Sequence, residues 1–115
     1  MNLFEKMVGE LKISNYPTIL YGSGALSVMV DAYLEENDIV ADGFAVDQEY
    51  YREPAHNGKP VYILSDYIAQ NPCNIVLAFS YLPVEWENKL RSLVASKLDT
   101  KIYLLDFQAY LSLPG

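Results

Sequence analysis

The chain has 115 residues, one domain's length, and its 51% hydrophobic and 20% charged residues are the balance of an ordinary globular fold. Eight Lys and Arg against fifteen Asp and Glu leave a formal net charge of -7, which argues against a nucleic-acid partner, since phosphate neutralisation needs a basic face. No apolar run reaches the ~20 residues of a membrane span. Glu5, Lys6 and Glu10 interrupt the start as a secretory leader, and the single Cys73 has no partner for an internal disulfide, so a cytoplasmic protein without a membrane role is expected.

Leu3, Phe4, Met7, Val8 and Leu11 recur at helical spacing and predict a short amphipathic helix, stopped by Asn15 and Pro17. Thr18-Ile19-Leu20-Tyr21 is nearly all apolar and predicts a strand buried on both faces. After Gly22-Ser23-Gly24, the residues Ala25, Leu26, Val28, Met29, Ala32, Tyr33 and Leu34 predict a helix to about Glu36, with Asn37 as its left-handed terminus. Ile39 to Val46 reads as a second strand ending at Asp47. Gln48 to Lys59 reads as a polar loop with the turn pair Asn57-Gly58, and Pro60 to Ile63 as a short third strand.

Ser65 is placed to cap a short helix through Gln70. Asn74 to Phe79 is the clearest buried strand, and Pro83 opens a helix striped by Trp86, Leu90, Leu93 and Val94. Lys101 to Leu105 is a last strand, and Phe107 to Leu111 a final turn of helix. Strands alternating with helices predict an α/β fold with a mostly parallel sheet of about five strands. We divide the chain into an N-terminal helix and lead-in over 1–17 and one α/β domain over 18–115.

Eight acids lie between Asp31 and Glu53, balanced only by Arg52, and they read mostly as a solvated face. Asp47 is the exception. Gly22-Ser23-Gly24 follows a buried strand and opens a helix, the context of a dinucleotide-binding turn. Gly22 permits the tight turn, Gly24 lets the backbone approach a phosphate, and the free N–H groups of the helix start attract it. Ser27 stands at the third fingerprint position, where glycine or alanine is usual. Asp47, 25 residues beyond Gly22, ends the second strand, where a carboxylate either accepts ribose hydroxyls or simply starts a solvated loop. A carboxylate there repels a 2′-phosphate, so an NAD-like or UDP-sugar-like ligand is favoured over NADP.

Ser80 and Tyr81 follow the strongest strand and either line the same pocket or cap and cover the next helix. Tyr50-Tyr51 either packs or covers a base or a partner surface. His56 stands alone in a polar loop, so metal binding by it is not expected. Cys73 reads as a small buried hydrophobe. No residue is assigned to catalysis.

Thr18 to Gly24, Gly43-Phe44-Ala45-Val46-Asp47 and Gly58-Lys59-Pro60-Val61-Tyr62 together resemble the Rossmann-like domain at the N-terminus of sugar- and polysaccharide-modifying enzymes. These include FkbM-type methyltransferases and the sugar acyltransferases with a left-handed β-helix. Ile102 to Phe107 resembles that domain's last strand, so the likeness covers about Thr18 to Phe107. Ser27 and Ala45 depart from the residues often seen at their places.

The resemblance implies a Rossmann-like three-layer sandwich that contacts a nucleotide or nucleotide-sugar. Gly22, Ser23, Gly24 and Asp47 match the contact positions, and Ser80 is added from its strand end. It also implies a downstream catalytic domain, a methyltransferase or other transferase, with the 115 residues themselves not catalytic. The alternative is a non-catalytic interaction module with a vestigial nucleotide site. In that case the N-terminal helix and the Tyr50-Tyr51 loop bind a partner chain or form a homodimer. A complete small dehydrogenase is set aside, because nothing in the chain supplies a proton donor beside a nicotinamide.

Overall fold

Every residue of Thr18–Tyr21 is buried because this strand, β1, lies in the middle of a sheet. It pairs in parallel with β2 (Gly43–Val46) on one side and β5 (Asn74–Ala78) on the other. The structure, a computed structural model, describes residues 3–22, 24–78, 84–97 and 99–105. The remaining elements are α1 (Leu3–Ile13), α2 (Ala25–Glu36), β3 (Ala55–His56), β4 (Lys59–Ile63), α3 (Leu64–Gln70), α4 (Val84–Val94) and β6 (Lys101–Leu105). Of the expected features, Ser23, Ser80, Tyr81, Pro83 and the turn at Phe107 to Leu111 lie outside the described residues.

The sheet has six strands in the order β3-β4-β2-β1-β5-β6. Five run parallel, and β3 joins β4 as an antiparallel hairpin, so the sheet is mixed but mostly parallel. Successive side chains of a strand leave on opposite faces. Leu20, Phe44, Val46 and Val76 accordingly pack with Met7, Val8 and Leu11 of α1 and Val30 and Leu34 of α2. Ile19, Tyr21, Ala45, Ile75 and Leu77 pack in a second cluster with residues of α3 and α4. Among the described residues no helix is long and apolar enough to cross a membrane.

Several details depart from the sequence expectation. The second strand begins at Gly43 rather than Ile39, because residues 37 to 39 terminate α2. Asp38 adopts the left-handed conformation, φ 65°, while Asn37 has φ -106°. The Asp38 amide donates to Glu35 O and the Ile39 amide to Leu34 O, a Schellman termination whose apolar pair, Ile39 and Leu34, shares one core cluster.

The predicted polar loop contains β3. Asn57 and Gly58 both have positive φ, 51° and 78°, which matches the right-handed strand twist in a two-residue hairpin. Ser65 is not the cap of α3. Ile63 holds that position without a side-chain hydrogen bond, and Ser65 lies exposed in the first turn.

The inward stripe of α2 is Ser27, Val30, Asp31 and Leu34, and Met29 is exposed. Both polar members are satisfied: Ser27 Oγ donates to Gly24 O at 2.6 Å, and Asp31 is ion-paired with Lys59. The reading of the acids as a solvated face therefore fails for Asp31, whose side chain is 2% exposed.

Candidate functional site at the carboxyl end of the sheet

The chain moves outward from β1 through β2 to β4, then returns to place β5 on the opposite flank of β1. In open α/β sheets, ligands bind off the carboxyl ends of the strands at such a reversal. Gly22 stands there. Its φ of 127° is one that only glycine adopts readily, and its amide donates to Ala45 O at 2.8 Å, tying the turn to β2.

Gly24 is the N-cap of α2, in an extended conformation with φ -88°. A Cβ built on it would meet nothing within 4 Å among the described residues. The first turn of α2 carries no acid, which leaves the positive end of the helix dipole unopposed by its own side chains.

Asp47 follows β2 directly and is half-buried. Because β1 and β2 are neighbours with Tyr21 opposite Ala45, the Tyr21 hydroxyl reaches Asp47 and donates to Oδ1 at 2.7 Å. Burial, then the hydrogen bond and charge of Asp47, hold the Tyr21 phenol well above its ordinary range, so it remains a donor.

Asp47 also lines an open cleft of about 540 Å³ with Gln48, Glu49, Ser65, Lys89 and Leu93. The turn Gln48–Tyr50 carries the chain across to α4, where the Tyr50 and Trp86 rings meet at 5.8 Å between centroids. The lining offers two carboxylates, an amide, a hydroxyl and one ammonium beside apolar surface that includes Leu93.

Of the predicted contacts, Gly22, Gly24 and Asp47 gather at the ends of two adjacent strands, whereas Ser23 and Ser80 lie outside the described residues. Tyr21, which bonds Asp47, and Ser65 and Lys89, which line the cleft, do not stand out in the sequence. Tyr21 reads as strand packing, and its position one residue before the glycine turn was the available signal.

The weaker candidates are structural. Cys73 is fully buried, and burial pushes its thiol up to about 11. His56 packs its ring edge-on against Phe44 at 4.9 Å and faces Glu53 through Nδ1 at 3.2 Å. No group of three or more metal-ligating side chains occurs among the described residues. No protein-family model matches the chain, and no curated protein matches it significantly.

Proposed function

We propose that the chain is a Rossmann-like nucleotide- or nucleotide-sugar-binding domain, a three-layer sandwich serving a downstream catalytic domain in a cytoplasmic sugar-modifying transferase. The proposed type is that at the N-terminus of FkbM-type methyltransferases and sugar acyltransferases. Support comes from the strand order: counted without the hairpin strand β3, the parallel strands run 3-2-1-4-5, the doubly wound order.

The observation that carries the proposal is that Gly22, with its positive φ, and Asp47 follow the neighbouring parallel strands β1 and β2 at the same end of the sheet, with Gly24 capping the helix that starts there. The amides at the start of α2 take the phosphate, and Asp47 takes the ribose hydroxyls. Calorimetry against NAD, NADP, UDP-glucose and S-adenosylmethionine at millimolar concentration tests this. Binding of NAD or UDP-glucose, weakened by Asp47→Ala and accompanied by poorer binding of NADP, is expected. A flat response to all four overturns the proposal.

A further inference from the structure

Tyr21 is the last residue of β1 and only 5% exposed, packed within the cluster that α3 and α4 share. Its hydroxyl donates to Asp47 Oδ1 at 2.7 Å. A half-buried aspartate just beyond a strand end otherwise has two free torsions. The packed ring removes that freedom by fixing one carboxylate oxygen. Tyr21 uses one of the roughly four lone-pair positions of the carboxylate, so acceptor capacity remains for a ligand in the cleft that Asp47 lines.

We infer that Tyr21 is a positioning residue that holds the Asp47 carboxylate in its ligand-accepting orientation. This rests on Asp47 being the ribose contact proposed above. A phenol held above its ordinary range remains a donor near neutral pH, which suits such a role. Ordering Asp47 in advance lowers the conformational cost of binding, so removing the hydroxyl weakens the ligand without removing any atom that touches it.

The test compares the full chain with Tyr21→Phe, which keeps the ring in the core, by calorimetry with UDP and ADP and with their 2′,3′-dideoxy counterparts. Thermal melting verifies that both proteins are folded. Tyr21→Phe is expected to weaken the hydroxyl-bearing nucleotide by about tenfold, the scale of a hydrogen bond to a charged group. It should leave the dideoxy nucleotide, and an Asp47→Ala background, changed by less than about twofold.

Equal loss for both nucleotides makes Tyr21 structural and overturns the inference, as does unchanged affinity for UDP or ADP. If the unsubstituted chain binds nucleotide and dideoxynucleotide equally, or binds neither, the assignment of Asp47 fails first and the inference falls with it.

Discussion

Lys59 Nζ lies 2.7 Å from Asp31 Oδ1, so an ammonium on the β3–β4 hairpin is inserted beside a carboxylate buried on α2. Glu35 joins at 3.0 Å, and Asn57 Nδ2 donates to Asp31 Oδ2 at 3.3 Å. Burial alone lowers the Lys59 ammonium, but its hydrogen bonds to Asp31 and Glu35 outweigh that and hold it above its ordinary value.

Removing Asp31 takes away the buried partner and leaves the Lys59 ammonium with the half-exposed Glu35 alone. Asp31→Ala is therefore expected to cost about 2 kcal/mol in urea unfolding, less than for a charge left with no partner. Glu35→Ala, at a half-exposed carboxylate, is expected to cost under about 1 kcal/mol. Equal costs for the two would mean that burial of Asp31 contributes nothing.

Two glycines should respond differently to alanine. A Cβ at Gly43 would lie 2.5 Å from Pro60 O and 2.9 Å from Tyr62 Cε2, forcing β2 and β4 apart. Gly43→Ala is expected to destabilise by about 2 kcal/mol, whereas Gly24→Ala, at a negative φ where a Cβ meets none of the described residues, should change stability by less than about 1 kcal/mol. Gly24→Val should melt like the parent yet bind nucleotide more weakly. Equal affinity would put the phosphate elsewhere.

Cys73 should be silent in the native state. Its burial and its thiol at about 11 leave little thiolate to react near neutral pH. With Ellman's reagent at pH 8, labelling is expected only through opening, accelerating with urea in step with unfolding. Labelling of the native chain at a free thiol's rate would contradict the packing around β5.

Stability should fall at alkaline pH. Burial comes first and the neighbouring carboxylates Asp47 and Asp42 second in raising the phenols of Tyr21 and Tyr67, and Lys59 is also raised. Each group binds its proton more tightly when folded, so its contribution is full below the unfolded value near 10 and is lost as pH rises through the folded one. Cys73 adds to the loss from about pH 9. The melting temperature is expected to be level to about pH 9 and then to decline.

Tyr67→Phe removes the 2.9 Å bond to Asp42, costs about 1 kcal/mol at neutral pH and flattens the decline. Tyrosinate absorbance rising for all tyrosines near pH 10 with no loss of structure would count against this.

β1, the span of α2 and β6 are legible in the residues, because an apolar run or a 3.6-residue stripe is a local pattern. The start of β2 is not. Ile39 and Ala41 are as buried as strand residues, but Asp38 bends the chain and Val40 points outward, 75% exposed. The burial of Ser27 and Asp31 in place of Met29 was hidden because polar residues face inward only where partners await them. At the candidate site, Gly22, Gly24 and Asp47 stand out as a spaced motif, and Tyr21 does not.

Local chemistry along the chain thus suffices for the kinds of element, their order and the glycine turn between β1 and α2, since each depends on residues within a few positions of one another. The strand order is different in kind. It puts β5 on the free flank of β1 and β2 on the other. Only then do Tyr21 and Asp47 meet across 26 residues and Lys59 and Asp31 across 28. Those contacts arise from two faces of one sheet being buried at once, a condition on the whole chain that no short window of residues contains.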